Sequence, residues 1–160
     1  MLRVTVICVG KLKEKFYAQA AAEYVKRLGR DCKLDLIELP EQRLPDAPAP
    51  AEIERALFRE AGVIRGKIPP ASCVAALCIE GQLRSSEELA QLLGSWQQRG
   101  EKGLVFIIGG SYGLHPSVKS EAQVRLSMSP MTFPHHLARV MLLEQIYRGF
   151  QILEGGKYHK

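Results

Sequence analysis

The sequence predicts an α/β fold, a mostly parallel sheet with helices on both faces. Three observations carry that expectation. Short unbroken apolar runs, such as LRVTVICV and LVFII, read as strands buried on both sides. Between them lie longer stretches whose apolar residues recur every three or four positions, the spacing of one helix face. Glycine, proline and polar turns separate the two kinds of segment, and no repeat, charge block or low-complexity tract divides the 160 residues. One domain over residues 1–160 is expected.

Residues 2–9 are β-branched and apolar and close on Gly10, as a buried first strand does. Phe16, Ala20, Tyr24 and Leu28 then fall on one face at steps of four, predicting a helix that ends at Gly29. Residues 34–39 read as a second strand, stopped by Pro40. The stretch EQRLPDAPAP carries Pro45, Pro48 and Pro50, so it is a loop or extended arm with no helix inside it. Ile53, Leu57, Ala61 and Ile64 mark the next helical face, which Pro69 and Pro70 end. Residues 73–79 give a third strand. Ser85 with Glu88 three positions on is a capping box, opening a helix with Leu89, Leu92, Leu93 and Trp96 inward. Residues 104–108 form a strand that runs straight into Gly109 and Gly110. A short helix follows Pro116, and a strand spans 124–128. A long helix over about 134–153 precedes the polar tail GGKYHK.

Hydrophobic residues at 46% against 24% charged exclude a disordered chain and leave enough apolar surface for a core. Lys plus Arg exceed Asp plus Glu by 22 − 17, or +5, a balance that suits a polyanionic partner or simple solubility. Cys8, Cys32, Cys73 and Cys78 form no CxxC pair and no metal-ligand spacing, so buried free thiols and no metal are expected. Cys73 and Cys78, five apart on one strand, should point to opposite faces. No apolar run reaches the roughly 20 residues of a membrane span, and the opening run is short for a signal peptide. A cytoplasmic protein is expected.

Ligands of open parallel sheets bind beyond the carboxyl ends of the strands. Three such ends stand out. In FIIGGSYGLHP, Gly109, Gly110 and Gly113 leave a turn whose backbone amides can approach a ligand, or simply a tight turn. It matches neither GxGxxG nor the P-loop pattern. In LSMSPMTFPHHLARVMLLEQIYRGFQ, polar Ser127, Ser129 and Thr132 alternate with Met128, Met131 and Phe133, while Pro130 and Pro134 stiffen the turn. Such a segment can bond an adenine edge and flank its ring, or be an ordinary strand–loop–helix corner. The third end is residues 77–81.

Together the words FIIGGSYGLH, LSMSPMTFPHHLARVMLLEQIYR and KYHK, with the opening VGKLKEKFYAQAAAEYVKRL, resemble the RlmH family of 23S rRNA methyltransferases in the SPOUT superfamily. The resemblance runs nearly end to end. It implies a deep C-terminal trefoil knot, an exception to the rule against threaded chains. It also implies a homodimer that uses S-adenosylmethionine to methylate N3 of pseudouridine-1915 in the large ribosomal subunit. The donor site it implies comprises Leu77, Gly109, Met128, Ser129, Pro130, Met131, Thr132 and Phe133. Gly109 should admit the donor's ribose or methionine end without a Cβ clash, and residues 128–133 should wrap the adenine.

The sulfonium methyl is already activated, so the chain must align the nucleophile and exclude water. The target N3–H must lose its proton, which asks for a base or for donors to the flanking carbonyls. The candidates are His135, Arg139, Glu144, Arg148, Tyr158 and His159. Glu144 and Arg148 are four apart on one helix face, as substrate groups or as a structural salt bridge. His135 follows Pro134 and is a helix-start cap or a site residue. Tyr158 and His159 lie in a tail that either frays or docks over the partner subunit's site. His159 is the expected base, since imidazole titrates near neutrality. On the last helix Leu142, Ile146, Phe150 and Leu153 line one stripe and Val140, Leu143 and Tyr147 another, as core or as dimer face. Lys11, Lys13, Lys15, Lys26, Arg27 and Arg30 would meet rRNA phosphates, best presented by an assembled ribosomal particle. Two other readings share these features: methylation of a different base or of tRNA, and a non-catalytic nucleotide- or RNA-binding ribosome assembly factor. The binding module would need neither donor loop nor tail.

Overall fold

Successive side chains of a strand point to opposite faces, so a strand apolar at nearly every position needs cover on both. The computed structural model, which describes residues 1–160, supplies that cover. Its strands are β1 (Arg3–Val9), β2 (Lys33–Leu39), β3 (Ser72–Leu83), β4 (Gly103–Ile108) and β5 (Val124–Ser127). Its helices are α1 (Lys15–Leu28), α2 (Pro50–Lys67), α3 (Ser86–Gln98), α4 (Pro116–Glu121) and α5 (His135–Leu153). The strands pair in the order β2-β1-β4-β3-β5, every pair parallel.

The two faces carry separate cores. Val4, Val6 and Cys8 of β1 and Leu104, Phe106 and Ile108 of β4 meet Leu28, Leu93, Trp96, Leu142 and Ile146, from α1, α3 and α5. Ile7, Val9, Val105 and Ile107 point the other way, onto Ala61 and Ile64 of α2 and Val118 of α4. Helices therefore lie on both faces, three on one and two on the other. No helix is long and apolar enough to cross a membrane.

Elements depart from the sequence reading where long-range contacts decide. Phe16 is 63% exposed, its ring resting on Tyr17, and α1 buries Ala21 and Leu28 instead. β3 runs four residues past the expected end because its register with β5 shifts between Leu77 and Gln82. At Gly81 the two strands approach so closely that a Cβ would lie 2.8 Å from the Arg125 carbonyl. β5 stops at Ser127, leaving Met128 to the loop. Pro50, placed in the expected loop, opens α2 at a position that suits its missing N–H. The Ser85–Glu88 capping box forms as expected. Of the two stripes on α5, Leu142, Leu143, Ile146 and Phe150 are buried within this chain, against α3 and α1. Leu153 is exposed, and Val140 and Tyr147 remain half-buried at the surface. All four cysteines are free thiols.

Candidate functional site

Parallel strands end together, so the loops after β3, β4 and β5 gather at one edge of the sheet and enclose a cleft of about 800 Å³. Leu77, Cys78, Ile79 and Glu80 come from β3, and Ile108 with the turn 109–113 from β4. Met128, Ser129, Met131, Thr132 and Phe133 follow β5, and His135 and Ala138 open α5. Seven of the eight residues of the expected donor set thus line one cavity. Pro130 does not. The Ser129 hydroxyl accepts the Met131 N–H at 2.9 Å, closing a small turn that leaves Pro130 at its exposed tip.

The glycine turn is shaped by its own backbone. Gly113 adopts φ +79° and donates its N–H to the Gly110 carbonyl at 3.0 Å. A Cβ on Gly109 would lie 2.4 Å from the Gly113 carbonyl carbon and oxygen. Gly109 therefore makes room first for Gly113. The cleft walls are largely apolar side chains and main chain. At its rim Lys119 pairs with Glu80, whose carboxyl this bond holds below the usual range. Burial, with Glu80 adding, pushes the Cys78 thiol up, so it stays protonated and unreactive.

His135 is a wall of the cleft and caps nothing, since the N-cap of α5 is Pro134. Its ring fits because Gly10 has no side chain: a Cβ there would lie 3.1 Å from His135 Cε1. Its Nδ1 is buried without a hydrogen-bond partner, and burial, then His136, lowers its pKa. Arg139 is 1% exposed and does not reach the cleft. Its Nη1 meets Glu38 and its Nη2 donates to the Gly10 carbonyl at 2.8 Å. Burial raises the Glu38 pKa most, yet Arg139, the Leu12 N–H and Lys11 together hold that carboxyl below its usual range. Arg139 is an anchor between α5 and the β1–β2 edge, which removes it from the expected catalytic group.

The remaining candidates form a second cluster. Arg148 donates through Nε and Nη2 to Glu144 Oε1, at 2.9 and 2.6 Å, and the Tyr158 hydroxyl donates to the same oxygen at 3.2 Å. The Tyr158 ring stands edge-on to Tyr147, and the Arg148 guanidinium lies 4.8 Å from its centre. His159 contacts Arg148 Nη1 through Nδ1 at 3.1 Å and Glu87 through Nε2 at 2.7 Å. Arginine only donates, so Nδ1 holds the lone pair and the Nε2–H donates to Glu87. Burial first, then Tyr24 and Glu144, pushes Tyr158 up to about 12, which keeps it a donor. The tail is therefore seated on α5 and the start of α3 of its own chain. Beside it a smaller cavity of about 450 Å³, lined by Arg84, Ser86 and Glu144, shares Leu126, Ser127 and Met128 with the larger cleft.

Sequence reasoning missed Ser111, Tyr112, Lys119 and Ala138 in the cleft. The first two lie inside a glycine turn it did single out; for Lys119, on α4, the sequence carries no signal.

The family described as predicted SPOUT methyltransferase matches residues 2–159. The crystal structure of a probable methyltransferase from Bordetella pertussis Tohama I superposes with a TM-score of 0.57 at 16% identity, over 93% of this chain and 96% of that one. A probable methylase family protein from Haemophilus influenzae Rd KW20 gives 0.53 at 14%, over 99% of this chain and 70% of that one. At such identities the likeness is one of fold.

Proposed function

Because the chain belongs to the SPOUT methyltransferase family, we propose that it transfers a methyl group from S-adenosylmethionine to N3 of pseudouridine-1915 in 23S rRNA. The observation that carries the reading is the convergence of Leu77, Gly109, Met128, Ser129, Met131, Thr132 and Phe133 on one cleft at the carboxyl edge of the sheet. The residues fit the donor. Apolar side chains of the 128–133 loop flank an adenine ring, its main chain offers hydrogen bonds to the ring edge, and the glycine turn presents bare backbone to the rest. The bound donor supplies an activated methyl, so this chain's task is alignment and exclusion of water.

The tail cluster supplies the proton chemistry. His159 takes the N3 proton, while Arg148 and Tyr158 donate to the carbonyls flanking N3 and stabilise the resulting anion. Glu144 orients Arg148, and it holds Tyr158 only while the tail keeps its present seat. In its seat here the His159 lone pair faces Arg148, so the base role requires the tail to leave that seat. The proposed homodimer provides the reason to leave: the tail reaches the partner subunit's cleft. Supporting the dimer is the outward face of α5, where Val140, Met141 and Tyr147 stay partly exposed beside Tyr24. The proposal includes the trefoil knot of the C-terminal segment, a ribosomal particle as substrate and a cytoplasmic setting. Mass spectrometry of rRNA from a deletion strain tests it. Loss of one methyl at that pseudouridine, restored by the wild-type chain and not by His159→Ala, is the expected result. An unchanged rRNA would exclude this substrate.

A further inference from the structure

Glycines are usually required where φ is positive, and Gly110 is not such a case: positive φ occurs at Gly10, Gly100, Gly113 and Gly155. What Gly110 accommodates is a carboxylate from 69 positions earlier. A Cβ built on it would lie 2.5 Å from Glu41 Oε1, 2.8 Å from Cδ and 3.3 Å from Cγ, with no other residue among these nearest neighbours. The same Oε1 accepts the Ser111 N–H at 2.7 Å. Ser111 and Gly110 line the donor cleft, and Glu41 does not. Glu41 is itself held. It stands at the root of the proline-rich segment, where Glu60, 6% exposed on α2, accepts the Gln42 N–H at 2.8 Å. A chain of contacts thus runs from α2 through residues 41 and 42 to the glycine turn.

We infer that Glu41 is a positioning residue for donor binding, its carboxylate occupying the space of a Gly110 side chain and clamping the Ser111 amide so that the turn keeps its ligand-ready shape. This rests on the reading of the cleft as the S-adenosylmethionine site. The clamp acts on the ground state of the empty turn, so its loss weakens donor affinity and KM while kcat at saturating donor changes little.

Calorimetry with S-adenosylmethionine and exchange of the 109–113 amides test the inference together. Glu41→Ala should weaken donor binding roughly tenfold, the scale of one charge-assisted hydrogen bond, and speed exchange in the turn. Glu41→Gln keeps an acceptor oxygen and should recover most of the affinity. Gly110→Ala should match Glu41→Ala, because the methyl displaces the carboxylate. The double variant should be no worse than Glu41→Ala alone, since the carboxylate that the methyl would displace is already gone. A folded Glu41→Ala chain that binds donor as the wild type does overturns the clamp, as do additive losses in the double variant. A wild-type chain that binds no donor overturns the reading of the cleft and this inference with it.

Discussion

The larger cleft shares one wall, Leu126 to Met128, with the small cavity beside the tail cluster, and cleft and cluster are built by opposite means. The cleft's glycine turn owes its shape to backbone packed against backbone where Gly109 meets Gly113, with the Glu41 carboxylate on the Ser111 N–H and apolar side chains filling in. The tail cluster is an array of charged and polar tips: Glu144, Arg148, Tyr158, His159 and Glu87. Close backbone contact tolerates no added atom and is nearly indifferent to salt or protonation. Side-chain ion pairs at partly exposed positions are individually weak and can be remade elsewhere at small cost. One region is thus fixed by the fold, and the other is free to change partners.

The sharpest way to break the comparison is steric. Gly109→Ala puts a methyl 2.4 Å from the Gly113 carbonyl, where no flexible side chain can yield. The turn must open. Donor affinity should fall by about two orders of magnitude or more, and the chain should lose about 1–3 kcal/mol of stability to the displaced backbone. Calorimetry and urea unfolding measure the two. Retained affinity in this variant would mean that the turn does not shape the cleft.

The tail should fail differently. Removing residues 157–160 deletes no backbone contact of the sheet or of the donor loop, so stability and donor affinity should be nearly unchanged. Methyl transfer to ribosomes should drop steeply. His159→Ala alone should cost about two to four orders of magnitude in rate if it is the base. Mixed dimers sharpen the point. A Gly109→Ala subunit with its tail, paired with a tail-deleted subunit with its cleft, regains activity only if one subunit's tail serves the other's cleft. Mixed dimers that stay inactive would confine tail and cleft to the same subunit.

The same division explains what could be read from the sequence. Strands and helices were legible because burial on both faces leaves unbroken apolar runs, and the helix period is local. The loop after β5 was legible as a wall of the cleft because its residues are consecutive. Arg139 was misassigned because its partners, Glu38 and Gly10, stand 101 and 129 positions away and turn a plausible substrate contact into an anchor. The contact that requires Gly109 was not legible, since which atom fills the place of its missing side chain depends on Gly113 turning back. Pro130 lies outside because a serine hydroxyl two positions from Met131 folds the loop tip outward. Glu41 carried no local signal at all.

The smallest expected effect concerns His135, the imidazole that lines the cleft. His135 sits against Gly10 with Nδ1 unpartnered, and burial, then His136 and Arg139, lowers its pKa, with Glu41 opposing. In the unfolded chain the imidazole returns to about 6.5. As pH falls, the unfolded chain therefore takes up the proton first. The stability contributed by neutral His135 is whole above pH 6.5 or so and is lost as pH falls through the lower folded value. One group accounts for an uptake of at most one proton on unfolding, so the slope is shallow. Carboxylates whose pKa folding lowers, Glu38 and Glu80 among them, add slopes of their own in acid, which only a difference measurement removes. His135→Gln keeps a polar side chain of similar reach and does not titrate. Its urea midpoint should keep a constant offset from the wild type above neutrality, and between about pH 6.5 and 5 the wild type should lose ground to it. Parallel curves for the two chains across that window would show that His135 titrates alike in the folded and unfolded states, and that the cleft is wetter at α5 than its geometry indicates.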